Sequence, residues 1–289
     1  MPNLKERMGL KDAIKAQQEG YLPQAKEIYI DILEDDKNNV QALCNLAIIY
    51  RHDKNYSKAL QLFHKALDIE QSQVIYINLA NLYIEVKSFQ KAIDIYSTLL
   101  KSMPNNPVIF ALIARAYDKQ GEVDKAIHFY KESIRVDSKY VESYVAIGKL
   151  LSFKKNFDGA KKLYEMALSL DDKHKEALYE LQKSLQYLKR YDDALMVLQK
   201  LVVLDGDNVD IYSEFGNVYT IQKDYYNALA SYLKVAEINP KNALNFIKIA
   251  LTYKTLNHLN EGVAYYKQAV ELDDTLIDLD SDLKKLLVS

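Results

Sequence analysis

Arg115, Lys149 and Lys183 follow one another at intervals of 34 residues, one cation per interval. Their regular placement offers noncovalent chemistry: a row of positive charge that favours an acidic ligand. Asn45, Asn78, Asn81 and Asn217 recur at related places, and Ile48 and Tyr179 fall among them. A side-chain amide both donates and accepts, so such a set can hold a peptide backbone without demanding a sequence. Covalent chemistry finds no comparable constellation. His52, His64, His128, His174 and His258 lack the spacing of metal-ligand pairs, and no Cys/His set resembles a zinc site. Cys44 is the single cysteine, which excludes an intramolecular disulfide. It reads as a small residue on an inner face rather than a reactive thiol. Neither common phosphate-binding glycine loop occurs. The expectation is therefore no catalytic residue, no metal, no cofactor and no enzyme activity.

The intervals come from a repeat that runs through the chain. Ala25, Ala59, Ala92, Ala126, Ala160, Ala194, Ala228 and Gly262 are separated by 34 residues, once by 33. Twelve residues before seven of these eight lies another small residue: Ala13, Ala47, Ala80, Ala114, Gly148, Gly216 and Ala250. Four residues after each lies a large one: Tyr29, Phe63, Tyr96, Tyr130, Tyr164, Leu198, Tyr232 and Tyr266. Counting one repeat from Pro107, positions 4, 7, 8 and 11 are Phe110, Ile113, Ala114 and Tyr117, which share one helical stripe. A break at residues 119–122 follows, then a second stripe with Ala126, Ile127, Phe129, Tyr130 and Ile134. Asp or Asn near the repeat ends, with Pro104 and Pro240, supplies stop and cap signals. Each repeat thus predicts a helix–turn–helix hairpin. The small residues mark a close crossing of its two helices, where a Leu would overpack at a cost of roughly 1–3 kcal/mol. Seventeen of the 23 tyrosines occupy only four repeat positions, so they are packing residues first.

This pattern resembles the tetratricopeptide repeat, with small residues at positions 8 and 20, aromatics at 4, 11 and 24, and an occasional Pro at 32. The resemblance implies an all-α solenoid, a right-handed superhelix of antiparallel hairpins whose first helices line a concave surface. Eight repeats start near residues 6, 40, 73, 107, 141, 175, 209 and 243, after a tail at 1–5 and before a capping helix at 277–289. In that last segment Leu279, Leu283, Leu286 and Leu287 lie on one stripe with acids opposite, which suits a solvating helix that closes the open end of the stack. A single hairpin cannot bury its own apolar face, so stability must come from stacked neighbours. Two departures carry expectations. Gly9 and Asp12 mark an atypical first repeat. Gln182 stands where a small residue is expected, so the stack should loosen or bend over residues 175–208, unless the amide turns outward.

On the first helices, positions 2, 5, 6, 9, 12 and 13 lie opposite the packing stripe, and composition there can report on function. Asn45, Ile48, Asn78, Asn81, Arg115, Lys149, Tyr179, Lys183 and Asn217 form the candidate groove for an extended peptide, with the cations favouring an acidic one. The competing expectation is that Glu142, Glu176, Glu180 and Asp210 neutralise the cations and leave a solvated face. The carboxylate clamp of some co-chaperones is not matched, because Cys44, Ile48, Val108 and Leu112 stand where it needs Lys, Asn or Arg. Asn78–Tyr83 (NLANLY) resembles the asparagine-bearing repeats of O-linked N-acetylglucosamine transferases, and residues 12–33 resemble repeats found ahead of some bacterial glycosyltransferase domains. A net charge of −2 argues against nucleic acid as a partner. The polar start and the lack of an 18-residue apolar run predict a cytoplasmic protein without a transmembrane segment. The function expected is a non-catalytic scaffold or adaptor that binds a protein or peptide. The alternatives are an accessory or targeting subunit of a separately encoded enzyme such as a glycosyltransferase, and a self-assembling structural module.

Overall fold

The computed structural model describes residues 9–288, and the tail at 1–5 lies outside the described residues. Among them every regular element is helical. The paired helices are α1 (Leu10–Gln18) with α2 (Leu22–Asp35), α3 (Val40–His52) with α4 (Tyr56–Ile69), α5 (Gln73–Glu85) with α6 (Phe89–Ser102), and α7 (Pro107–Gln120) with α8 (Val123–Val136). They continue as α9 (Val141–Phe153) with α10 (Phe157–Leu170), α11 (Lys175–Tyr187) with α12 (Tyr191–Leu204), α13 (Val209–Ile221) with α14 (Tyr225–Ile238), and α15 (Ala243–Thr255) with α16 (Leu259–Leu272). A 3₁₀ turn at Asp274–Asp278 and α17 (Ser281–Val288) end the chain. The helices gather into two compact halves that divide between Ser143 and Tyr144.

Most hairpins begin, and all of them turn, by the same local chemistry. Asn39, Asn106, Asn208 and Asn242 accept a backbone N–H at the start of a first helix, satisfying donors the helix cannot use itself. His174 does the same through Nδ1, 3.2 Å from the Ala177 amide, which accounts for this histidine structurally. Every first helix ends in a paired bond across a left-handed residue. In α3 the Asn55 amide reaches the Tyr50 carbonyl at 2.8 Å and the Lys54 amide reaches Arg51 at 3.0 Å. Gly20 and Gly121 take the left-handed position in two hairpins, with φ of 85° and 88°. In the other six it is held by Lys54, Lys87, Lys155, Lys189, Lys223 and Asn257, all with φ near +60°. Sequence alone does not mark these lysines as the turn residue, because a side chain with a Cβ disfavours that conformation.

The crossings are as tight as the small residues imply. Ala80 and Ala92 are fully buried, as are Ala114 and Ala126. Burial also extends beyond the stripe at 4, 7, 8 and 11. Position 3 (Ala42, Ile75, Ile109, Ser143, Ala177, Ile211, Asn245) and position 10 (Ile49, Leu82, Ala116, Leu150, Ser184, Val218, Thr252) are buried in each of repeats 2–8. The first helices are therefore covered on two sides, and a correspondingly narrower strip remains exposed.

Gly148 and Gly216 lie where even a methyl group would run into the rings of Tyr164 and Tyr232. With those rings drawn over the helix, their hydroxyls reach Ser152 at 3.3 Å and Thr220 at 3.2 Å. Repeat 6 solves the same crossing differently. Gln182 is fully buried, and α11 and α12 run unbroken, so the amide neither turns outward nor interrupts either helix. The position-24 residue of this repeat is Leu198, also fully buried and smaller than the Tyr of most other repeats. Its Nε2 donates toward Glu214 at 3.4 Å, while its Oε1 is buried without a partner.

The C-terminal stripe also differs from expectation. Only Leu283 is fully buried, whereas Leu279 and Leu286 are exposed. The cause is the 3₁₀ turn at Asp274–Asp278, whose period of three residues buries Leu276 instead and starts α17 at Ser281 with a new phase. The Tyr266 hydroxyl fixes that turn: it donates to the carbonyls of Leu276 and Ile277 (3.2 and 2.6 Å) and accepts the Asp280 amide at 3.3 Å.

Candidate peptide-binding face

Position 24 does more than pack. In the N-terminal half, the buried Tyr96 of α6 passes under α5 and donates its hydroxyl to the Asn81 side-chain carbonyl at 2.8 Å. Arg115, on α7 of the next repeat, donates to the same oxygen at 2.5 Å. The C-terminal half repeats the device four repeats later. Tyr232 donates to the Asn217 carbonyl at 3.2 Å, and Lys248 of the following repeat donates to it at 3.0 Å. In each case a buried phenol and an adjacent cation hold one half-buried amide in a fixed orientation. Burial pushes the Tyr96 hydroxyl above its ordinary range, and the Arg115 guanidinium opposes that shift. Lys248 is half buried, and desolvation lowers its pKa against the opposing charge of Glu214.

This geometry changes what the asparagines can offer. An amide oxygen has two acceptor sites, and both protein donors converge on that of Asn81 and that of Asn217. What remains is the donor half of the amide. Asn217 further donates its Nδ2 to Glu214 at 3.3 Å. Glu214 also receives Gln186 Nε2 at 2.8 Å, so it joins repeats 6, 7 and 8 through Gln182, Gln186, Asn217 and Lys248. Glu214 and Lys248 both occupy repeat position 6, the position shared by Asn45 and Asn78. A comparison of that position across repeats is the sequence signal that could have found them.

The other site residues are placed as follows. Asn45 approaches the Tyr29 hydroxyl, which also donates to Gln17 at 2.9 Å. Ile48 and Asn78 are half buried on the exposed side of their helices. In the C-terminal half Lys149 meets Glu176 at 2.8 Å, and Lys183 meets Glu180 at 3.2 Å. Tyr179 is half buried, and its hydroxyl is covered and has no hydrogen-bond partner. Burial raises its pKa, helped by the charges of Asp205 and Asp210. Cys44 is half buried, and burial followed by the charge of Glu70 pushes its thiol up to about 11. Among the described residues no group of three or more His, Cys, Asp or Glu could hold a metal ion. No described helix is long and apolar enough to cross a membrane.

The models for the tetratricopeptide repeat match residues 28–61, 50–116, 84–147, 141–174, 209–242 and 245–275. The chain belongs to the tetratricopeptide repeat family. Tetratricopeptide repeat proteins provide scaffolds for protein interaction, and the paired helices described above are the solenoid elements of that family. Among curated proteins, the chain is 33% identical over 81 residues to the RNA polymerase-associated protein CTR9 of Saccharomyces cerevisiae. That match spans 28% of this chain and 8% of the relative's length. Among solved structures, MamA is 26% identical with a TM-score of 0.53, over 56% of this chain and 95% of MamA. The C-terminal part of a repeat-containing protein from Cytophaga hutchinsonii, 21% identical, shares the fold with a TM-score of 0.68 over 83% of this chain and 98% of its own.

Proposed function

We propose that the exposed face of the first helices binds an extended segment of a partner protein, and that the chain acts as a non-catalytic adaptor. The observation that carries this reading is the Asn81–Tyr96–Arg115 arrangement and its counterpart at Asn217, Tyr232 and Lys248. Fixing an amide from below with a buried phenol removes the entropy that a surface side chain would lose on binding, which is what preorganised recognition requires. With its oxygen occupied, the Asn81 amide presents N–H groups beside the Arg115 guanidinium. The face therefore favours carbonyl oxygens and carboxylates, and an acidic segment suits it better than a basic one. In the C-terminal half Lys149 and Lys183 hold the same repeat position as Arg115 and supply cations there. The Lys149–Glu176 pair is exposed on both sides, and exposed pairs of this kind contribute little energy, so a ligand carboxylate can displace Glu176; Glu180, beside Lys183, is more covered.

The test is affinity capture with two baits, the wild type and Arg115→Glu/Lys149→Glu/Lys183→Glu, with helicity compared by circular dichroism. A partner retained by the first and lost by the second, at unchanged helicity, is the expected result. Identical sets of captured proteins would remove this face from consideration.

A further inference from the structure

The last turn of each first helix changes character between the halves. At position 13, repeats 2–4 carry His52, Glu85 and Lys119, whereas repeats 5–7 carry Phe153, Tyr187 and Ile221. The latter three are 79%, 68% and 51% exposed. Scattered apolar residues are ordinary on a surface, but the same position in three consecutive repeats is not scatter. Phe157, at the start of α10, stacks flat against Tyr187 with ring centroids 4.2 Å apart and planes 6° from parallel. Together with Phe153 these rings wall a cleft of about 530 Å³ whose rim carries Lys155, Lys183 and Glu180. That volume is within the range of sites that take a small ligand or a large side chain.

Charge accompanies the apolar row. Lys155, Lys189 and Lys223 each follow an exposed apolar residue by two positions and hold the left-handed place in the turn. Lys54 and Lys87 hold the same place in repeats 2 and 3, so what sets repeats 5–7 apart is the exposed apolar residue that accompanies the lysine.

We propose that this cleft anchors an acidic partner segment through one aromatic side chain. The ring enters the cleft against Phe153 and Tyr187, and the flanking carboxylates meet Lys155 and Lys183. The proposal rests on the reading that the partner is a peptide segment, and it adds the class of residue that fixes it in the C-terminal half. A bilayer fits this edge less well. Asp158, Asp192 and Asp224 stand among the same hairpin turns, and Arg190 already pairs with Asp193 at 2.6 Å. Positive charge thus stays local to the cleft, where Lys155 and Lys183 stand against the single acid Glu180, and does not run along the edge as an anionic membrane requires.

The chain has no tryptophan, so a tryptophan-bearing peptide reports its own burial without background. The probe is the blocked heptapeptide EDEWEDE, titrated with the full chain and followed by its emission. The expected result is a saturable blue shift, weakened at least tenfold by Phe153→Ser/Tyr187→Ser at unchanged helicity. Lys155→Glu should weaken it several-fold, and EDEAEDE should compete at least tenfold less well. Equal affinity in Phe153→Ser/Tyr187→Ser would overturn the cleft. If binding then falls only in Arg115→Glu/Lys149→Glu, the proposed peptide face survives without the cleft. Loss in the cleft variant alone supports the cleft and removes the helix face. Failure to bind the peptide, with co-sedimentation on phosphatidylserine–phosphatidylcholine vesicles, would assign the edge to a bilayer and overturn the inference. Failure to bind either would overturn it as well.

Discussion

At the scale of single residues, the fold depends on volume matched across one crossing per repeat. Gly216 faces the ring of Tyr232 with no room for a methyl group, so Gly216→Ala should destabilise the protein by roughly 1–3 kcal/mol through overpacking. Adding Tyr232→Leu should restore part of that loss, because repeat 6 combines a buried Gln182 with Leu198 at the same two repeat positions. Chemical denaturation of the single and double variants checks both statements. A double variant no more stable than the single would mean that the ring is not what excludes the methyl group. Cys44 supplies a second residue-scale outcome. A thiol held up to about 11 by burial has little thiolate at neutral pH, so alkylation by iodoacetamide should be slow in the native protein and fast after unfolding.

At the scale of elements, the turns and the C-terminal segment are the places where the chain departs from local optima. Lys54 and Lys223 adopt left-handed backbone at φ of 58° and 63°. Lys54→Gly and Lys223→Gly should each raise the melting temperature, by an amount corresponding to about 0.5–1 kcal/mol, since glycine has no Cβ to clash. The end of the stack is closed by Tyr266 and by Lys254, which meets Asp280 and Asp282 at 2.8 and 2.9 Å. Burial tends to raise the Asp280 carboxyl, but the Leu283 amide and the Lys254 ammonium outweigh it and hold the carboxyl below its usual range. Hydrogen bonds to Asp280, then Asp282, raise Lys254 above its own range. A lowered carboxyl contributes stability above its unfolded value, near 3.9, that is lost as pH falls through the folded value. A raised ammonium contributes stability below about 10.4 that is lost as pH rises through its folded value. Amide exchange over residues 276–287 should therefore be slowest near neutral pH, after correction for intrinsic rates, and Tyr266→Phe should accelerate it throughout. An exchange pattern unchanged by Tyr266→Phe would show that α17 is held by Leu283 alone.

At the scale of the whole molecule, the tyrosines link packing to alkaline stability. Burial raises the hydroxyls of Tyr29, Tyr96, Tyr164 and Tyr232, and that of Tyr130 to about 12. A raised acid contributes stability that is complete below its unfolded value near 10 and disappears as pH rises through the folded value. Stability should thus decline from about pH 10 upward. Ultraviolet titration should show a late-ionising class of phenols that becomes normal in denaturant. A single class titrating near 10 in the native protein would contradict the burial of position 24.

The period, the hairpins and the small residues at the crossings were legible in the sequence, because each repeat solves the same packing problem with neighbours of the same kind. Ala80, Ala92 and the position-24 aromatics can be recognised from spacing alone, since contacts within a hairpin are local. The binding face was only partly legible. Asn81, Arg115 and Asn217 could be named from their repeat positions, but which half of each amide stays available depends on Tyr96, Tyr232 and Lys248, whose hydroxyls and ammonium arrive from other helices. The burial of positions 3 and 10, the burial of Gln182 in the repeat that carries Leu198, and the aromatic cleft beside Lys155 likewise came only from the tertiary structure. Periodicity fixes which way a side chain points from its own helix. What that side chain meets is decided by the helix packed against it.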